Sequence, residues 1–495
     1  MRRPVILYRD FARLNEVSSP EHLRDDELQE AINAVYDEAG GVSKRTGIET
    51  VVDYDEPDSP ITRLIDYSKK EQLLVAYGTT LRVMGGEVIK DDFDNTDFGW
   101  EIFSDGKLYL VNGKGFYVYD GETLEEVSPP GEDEEGENSG EENGNGDDDP
   151  LAHIRRCKYI VQRGERLFAA GDDENPNTIY FSEVGAPNDF PPLNFINAVS
   201  DDNDIITGLS EFHQAMVAFK RNHIYAWFGW DPAEDVRFDK INVHTGTASA
   251  RTIQRVYNFL FYLGEDGVYA LHGLEASYIS SNNLTDEVIK RRFGKLTSKD
   301  RACSIFHDGK YILSVSENGK HNDLVLVFDF VRKAWSVWTG WDVSDFVYYN
   351  EALYMGSGQE AMIYKEHDEY NDDGEVIPFR MKTKPFDCQY PMHEKKFAWF
   401  HLLIGEKDDS NEIDVTVECD YKSIQLHNGI DLNTVMVPGA FMFDGETPEG
   451  RSRLFYKRAR ILARSLRTQV TIENNELNEG ITIYGVGFQY WPIRV

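Results

Sequence analysis

The residues of this chain with the widest chemical range are its cysteines and histidines. Cys157, Cys303, Cys388 and Cys419 lie far apart and form no C-x-x-C pair, so neither a thiolate zinc site nor a dithiol redox centre finds its ligands. They read as buried or incidental thiols. The histidines, among them His153, His213, His223, His244, His272 and His307, are scattered and mostly near turns. No H-E-x-x-H, G-x-S-x-G or phosphate-binding loop occurs, which removes the usual settings of metalloprotease, serine-hydrolase and nucleotide chemistry. The nearest approach to the S-x-D-x-G-x-T-W turn of sialidases is SDGKLY at 104–109, which lacks the spacing and the tryptophan. Carboxylates are too numerous for a glycosidase pair to be chosen without geometry. The expectation is no enzyme, no cofactor and no metal. A polysaccharide-degrading reading would rest on fold class alone.

Two charged stretches and a set of tryptophans stand out instead. Residues 131–150, GEDEEGENSGEENGNGDDDP, contain Glu132, Asp133, Glu134, Glu135, Glu137, Glu141, Glu142, Asp147, Asp148 and Asp149 and no apolar residue. Such a stretch has nothing to bury that would offset the entropy of ordering, so a solvated loop is expected. Asp147 to Asp149 offer hard oxygen ligands, yet the spacing of a calcium loop is absent. A third reading is an acidic fringe that keeps DNA from adhering. The opposite charge gathers in RLFYKRARILARSLRTQ at 453–469, with Lys457, Arg458, Arg460, Arg464 and Arg467. Arg460, Arg464 and Arg467 fit one helical face, and 457–470 also reads as a strand. The island is a solvated face, or an interface whose guanidinium forks meet carboxylates of a neighbouring subunit, with DNA contact a third reading. Trp227, Trp230, Trp338 and Trp341 could stack on sugars or pack inside.

The elements that position these residues are strands. DGKLYLVNGKGFYVYDG, residues 105–121, alternates apolar and polar, turns at Asn112 and Gly113 and resumes. A lone hairpin is marginal in water. Similar hairpins begin at Lys69, Arg163, Phe212, Val256, His307 and Tyr349. With the acidic insert set aside, about seven copies recur at a period of about 40 residues, the size of a four-stranded propeller blade. Blades bury one another's faces around an axis and leave short, protected edges. The fold class expected is all-β: a β-propeller of about seven blades over residues 61–375, a C-terminal β-sandwich over 376–495 with longer period-two strands, and an N-terminal arm over 1–60. In that arm SPEHLRDDELQEAINAVYDEAGG reads as one helix, capped by Ser19 with Pro20 at its first position and stopped by Gly40 and Gly41. GGVSKRTGIETVV then reads as a strand.

The whole chain has 495 residues, a hydrophobic fraction of 41% and a formal charge of −36. That is ample core material, and a surface that repels phosphate rather than gripping it. No apolar run reaches the length of a membrane span. The N-terminal MRRPVILYRDFARLNEV lacks the pattern of a signal peptide, which implies folding in a cytosol.

The stretch 166–229 carries a resemblance. It holds IYFS at 179–182, G-x-P-x-x-F at 185–190, ITGL at 206–209, a strand ending in Phe219 and Lys220, and another starting at Ile224 and Tyr225. Together these resemble phage tail proteins of the propeller type, found as nozzles, hubs or stoppers below the portal. YDEAGGVSKRTGIE resembles that family's opening G-x-x-x-x-R-x-G, and KTKPFDCQYPMHEKKFAW its segment after the propeller. The resemblance implies a virion tail component assembled in the host cytoplasm as a ring of about six copies. Its implied partners are itself, the portal or adaptor, distal tail or fibre proteins, and double-stranded DNA retained and then conducted without sequence-specific binding. Its motifs are turn and strand signatures and carry no catalytic residue. The alternative is a phage propeller that binds a host surface glycan or receptor.

Overall fold

A computed structural model describes residues 5–37, 40–130, 149–198, 204–213, 215–228, 238–241, 245–273, 280–283, 288–405, 412–420, 422–431 and 454–493. In the hairpin at 105–121, Leu108–Val111 pairs antiparallel with Phe116–Tyr119, Val111 facing Phe116. Asn112 makes the turn: its Oδ1 accepts the N–H groups of Lys114 (3.0 Å) and Gly115 (2.8 Å), while its Nδ2 donates to the Asn95 carbonyl. Gly113 takes a φ of 79°, a left-handed conformation that glycine adopts without steric cost. Asn112→Ala is expected to lower stability by about 2 kcal/mol, because two turn N–H groups lose their acceptor. A shift of the urea midpoint checks this.

The hairpin is flanked by Gly99–Ile102 and Leu124–Glu126, giving a four-stranded antiparallel sheet. All four residues of Leu108–Val111 are buried. Leu108 and Leu110 pack toward Ile65, Leu74 and Leu81 of the preceding sheet. Tyr109 and Val111 pack toward Ile160, Leu167 and Ala169 of the following one. The strand reads as near-continuously apolar because both of its faces are covered.

The same unit recurs. Ile61–Tyr67, Gln72–Tyr77, Thr80–Val83 and Val88–Lys90 precede it; Tyr159–Arg163, Arg166–Ala170, Thr178–Phe181 and Phe195–Asn197 follow. Then come Ile206–Phe212, Ala215–Lys220, Ile224–Trp227 and Phe238–Ile241, and next Gln254–Val256, Phe259–Leu263, Val268–His272 and Ser280–Asn283. Cys303–His307, Lys310–Val315, Leu324–Asp329 and Ala334–Trp338 pair in the same order. In each of these sheets the hairpin read from the sequence supplies the second and third strands.

The last sheet is completed by the start of the repeat. Val343–Tyr349, Ala352–Ser357 and Met362–Glu366 take Ile48–Asp53 as their fourth strand, Met362 facing Asp53 and Glu366 facing Ile48. Ile61, Leu64, Leu73 and Val75 of the first sheet then share a core with Val347 and Ile363 of the last. The Leu64 N–H donates to Asp345 Oδ2 at 2.9 Å across that junction. The arrangement is all-β, of small antiparallel sheets in propeller-like succession.

The expected N-terminal helix is absent. Pro20–His22 makes one tight turn, and Ser19 caps nothing; its Oγ instead meets His22 Nδ1 at 3.0 Å. Glu27–Ile32 and Ala34–Tyr36 are strands. Helix-forming residue types lose here to pairing: Glu27–Ile32 lies antiparallel to Phe379–Thr383, and Leu28, Ala31, Ala34 and Tyr36 enter the core. Gly40, at a φ of 85°, serves the turn between Ala34–Tyr36 and Val42–Lys44 rather than a helix stop. The strand read in GGVSKRTGIETVV is two, Val42–Lys44 and Ile48–Asp53, which join different sheets.

Residues 1–60 therefore do not form an arm of their own. One sheet orders Ala34–Tyr36, Val42–Lys44, Thr482–Pro492, Lys395–Gly405 and Leu454–Ser465, with Val5–Arg9 also on Thr482–Pro492. The other strands assemble as Glu27–Ile32, Phe379–Thr383, Thr468–Asn474, Glu412–Cys419 and Lys422–Asp431, with Arg13–Leu14 parallel to Glu27–Ile32. Phe397, Phe400, Leu402, Val486 and Phe488 of the first set share a core with Met381, Val415, Val417, Val470 and Ile472 of the second. A single bridge, Ile32 to Val337, ties the second set to the repeat.

Candidate interaction surface

The basic island lies on Leu454–Ser465, a strand and not a helix. It pairs on one side with Lys395–Gly405, and among the described residues nothing pairs with its other edge. Ile461, Ala463 and Ser465 are buried while Arg458, Arg460 and Arg464 stand exposed, the period of two that a half-buried strand requires. A bulge sits opposite the step from Phe397 to Trp399. Within it Leu462 takes a φ of 42° and is 49% exposed; Leu466 just beyond is 39% exposed. Charge and a bulge are common devices for blunting an edge. Two exposed leucines run against that purpose and suit a surface that is covered in use.

The five basic residues have different partners. Arg467 pairs with Glu21 of the same protomer. The Arg458 guanidinium lies 4.8 Å over the ring of Trp399. Lys457 is half-buried and engaged. Arg460 and Arg464 remain, and among the described residues no carboxylate pairs with either. An arginine pair left without carboxylates in a chain of charge −36 is the part of this surface most suited to an acidic neighbour.

Arg458 also acts on the facing strand. His401, opposite it in register, is buried, and burial together with the Arg458 charge lowers its imidazole to about 4 from 6.5. The unfolded chain takes up this proton first as pH falls. The group's contribution is therefore present above pH 6.5 and is lost as pH falls toward about 4. The urea midpoint should fall between pH 7 and pH 5, and fall less in Arg458→Gln, where only burial opposes protonation. Equal slopes in both proteins would contradict this assignment.

Of the acidic insert, Glu132, Asp133, Glu134, Glu135, Glu137, Glu141, Glu142, Asp147 and Asp148 lie outside the described residues. Asp149 is described. Its Oδ1 accepts the Leu151 N–H at 2.9 Å, and its carboxylate faces Arg155 at 2.9 Å, so it fixes the turn into Ala152–Arg155. Among the described residues no group of three His, Cys, Asp or Glu side chains is placed to hold a metal ion.

Three of the tryptophans considered for sugar stacking are inside. Trp227 lies under the Arg163 guanidinium at 4.4 Å, Trp338 Nε1 donates to the Ala34 carbonyl at 3.0 Å, and Trp341 Nε1 donates to Asp372 Oδ1 at 3.2 Å. Trp230 lies outside the described residues. All four cysteines are free, and burial pushes the Cys303 and Cys388 thiols up to about 12, which leaves them unreactive at neutral pH.

Two arginines that the sequence reading passed over organise the molecule. Arg45 is fully buried. Its Nε donates to Asn33 Oδ1 at 3.0 Å, and its Nη atoms to Asp372 (2.8 and 2.5 Å) and the Thr339 carbonyl (2.8 Å). Its Cζ lies 4.9 Å from the centre of the Trp341 ring. Arg251 reaches from the short turn Ala250–Thr252 to the carbonyls of Thr62 (3.4 Å), Ser344 (3.3 Å) and Arg301 (3.2 Å). Thr62 and Ser344 lie on the first strands of the first and last sheets, and Arg301 just precedes a third such strand. Several of these first strands touch one another, Val343–Tyr349 meeting both Ile61–Tyr67 and Cys303–His307. One arginine side chain thus ties neighbouring sheets of the repeat together. Beside it Arg63 faces Asp97 Oδ1 at 3.2 Å and Asp345 Oδ1 at 3.8 Å.

The stretch that carries the family resemblance is built of turns and packing. Ser182 Oγ accepts the Leu167 N–H at 3.0 Å. Gly208 leaves no room for a side chain, since an added Cβ would stand 2.7 Å from Ile253 Cδ1. Asp204 accepts the N–H groups of Arg221 (3.1 Å) and Asn222 (2.9 Å) and faces His223 Nδ1 at 3.0 Å.

No family model matches the chain. No curated protein matches it either. Among solved structures it is similar to the computationally designed Ika8 protein, at 11% identity over 64% of this chain and 100% of that one, with a TM-score of 0.38. The Pan2 WD40 domain of Neurospora crassa is similar at 9% identity over 66% of this chain and 95% of that one, with a TM-score of 0.39. BamB from Moraxella catarrhalis is similar at 9% identity over 68% and 97%, with a TM-score of 0.39. Likeness at this level carries no argument about function.

Proposed function

We infer that this chain is a structural subunit of a phage virion tail. It forms a ring of about six copies that joins the portal or adaptor region to the distal tail and its fibres. The ring holds double-stranded DNA back and later conducts it. In this reading the repeated sheets are seven blades closed by Ile48–Asp53, and the two sheets beyond them are a sandwich that borrows its remaining strands from residues 1–44. The protein is not an enzyme and needs no cofactor; it is assembled in the host cytoplasm and ends in the virion.

The observation that carries the reading is the edge Leu454–Ser465, unpaired among the described residues, where Arg460 and Arg464 have no carboxylate partner among them and leucines stand exposed between and beside the two. It suits a head-to-tail contact with an acidic surface of the next copy, and heterologous contacts of that kind close into rings. In this reading the conduit runs between protomers. A wall with the sign of this chain repels phosphate and lets the polymer slide.

The test is the solution mass of the purified chain with negative-stain images of the same sample, alone and with the portal or adaptor protein of its phage. Closed rings with a central hole are expected. A strict monomer in both samples would overturn the reading.

A further inference from the structure

A hollow lies away from the arginine edge, on the sheet that ends in Phe195–Asn197. It has a volume of about 620 Å³, within the range of small-molecule sites, and it is bounded by the turn Ala152–Arg155, the strand Thr178–Phe181 and that outermost strand. Its walls combine rings with uncharged polar groups. His153 stacks on Tyr180 with centroids 5.3 Å apart and an angle of 18°, and its outer face is open, the side chain being 52% exposed. Phe195 is 43% exposed at the rim. Asn175, Thr178 and Asn197 supply amides and a hydroxyl. Thr178 donates to Asn197 Oδ1 at 2.8 Å, which leaves the Asn197 NH₂ as the group able to donate elsewhere.

A buried charge sets this wall. The Asp172 side chain is fully buried, and its carboxylate accepts from Arg156 Nε (2.9 Å), Asn175 Nδ2 (3.0 Å) and Tyr180 OH (3.1 Å). Burial alone would raise its pKa; Arg156, Asn175 and the Glu174 N–H outweigh it and hold the carboxyl at about 2. Arg156 also reaches His153 Nδ1 at 2.8 Å. One carboxylate therefore orients Tyr180 and Asn175 directly and His153 through Arg156. A loop that only had to be soluble would not require a buried ion to aim three side chains at one hollow. Rings that can lie against C–H faces, beside amides and hydroxyls that match O–H groups, form the chemistry that recognises a sugar. The net charge of the chain, −36, disfavours anions.

We propose that this hollow, built on the Asp172–Tyr180–His153 scaffold and rimmed by Phe195, binds a neutral saccharide. The site is independent of the arginine edge, and either can fail without the other. The intact protein is titrated with chitotriose, maltotriose and lactose, with sialyllactose as the charged comparison, by saturation-transfer NMR and calorimetry. At least one neutral probe is expected to bind saturably and more tightly than sialyllactose. Phe195→Ala, a change at an exposed rim position, is expected to weaken it about tenfold. Should Phe195→Ala melt earlier than the parent, Asn197→Leu on the outermost strand is the second variant and should weaken binding likewise. No saturable binding of any neutral probe, undiminished binding in a stably folded variant, or equal binding of sialyllactose would overturn the proposal.

Discussion

Arg45→Met should destabilise this protein by about 3–5 kcal/mol, because it takes the guanidinium away from the mostly buried Asp372 carboxylate and from the Thr339 carbonyl. The expected readout is a large fall of the urea midpoint. The size of the effect follows from the position of the residue. Arg45 lies between Val42–Lys44, which belongs to the C-terminal sheets, and Ile48–Asp53, which completes the last sheet of the repeat. Its guanidinium holds Asp372 beyond the repeat, Thr339 at the end of the sixth meander and Asn33 between two N-terminal strands. Arg45→Lys keeps the charge but cannot fork onto both Asp372 oxygens while reaching Asn33, so it should lose much of the same stability. Arg45→Met with Asp372→Leu removes both ions and should recover part of the loss. Arg464→Met, at an exposed arginine with no carboxylate partner among the described residues, should stay within about 0.5 kcal/mol of the parent. If Arg45→Met and Arg464→Met behaved alike, the buried node would have no special weight.

The arginine of the N-terminal G-x-x-x-x-R-x-G pattern was therefore legible as a motif but not as a bolt, since its partners lie at sequence separations of 294 and 327. Its companion Gly47 is explained by an equally distant neighbour: an added Cβ would stand 1.6 Å from the Asn371 carbonyl oxygen. The hairpins were legible for the opposite reason. Asn112 and Gly113 and their counterparts make turns by their own side chains and φ angles, within four residues, and alternation along the strands needs no distant partner. The short outer strands were harder to see. Val88–Lys90 and Leu124–Glu126 are three residues each and partly polar, because only one of their edges is paired. Inside the stretch read as a helix from its Ser19 and Pro20 start and its Gly40 and Gly41 stop, Leu28, Ala31 and Ala34 recur every three residues, as on a helix face. In the folded chain that spacing arises from a bulge between Leu28 and Glu30 and a break at Asn33, whose φ is 51°. The arginine island showed its charge in the sequence, but which arginines stay free depended on Glu21 and Trp399, remote in the chain.

The second large effect is on assembly. Arg460→Glu with Arg464→Glu should raise the protein concentration needed for half-assembly by at least about 100-fold, since two forks that meet carboxylates become two like charges. Neither arginine has a carboxylate partner within the protomer among the described residues, so the monomer's urea midpoint should hardly move. That separation of assembly from folding distinguishes an interface from a structural role. Salt provides a second axis. Raising ionic strength from 0.1 to 1 M shortens the screening length from about 10 to about 3 Å, so parent rings should loosen while the reversed variant changes little. Leu462→Asp tests the apolar part of the same edge. Leu462 is half exposed on a bulge, so a charge there costs the monomer little but would have to be desolvated inside a ring contact. Rings that form equally well from the parent, the reversed-charge variant and Leu462→Asp would place the subunit contact elsewhere. Rings weakened by the charge reversal but indifferent to Leu462→Asp would confine it to the electrostatic part of the strand.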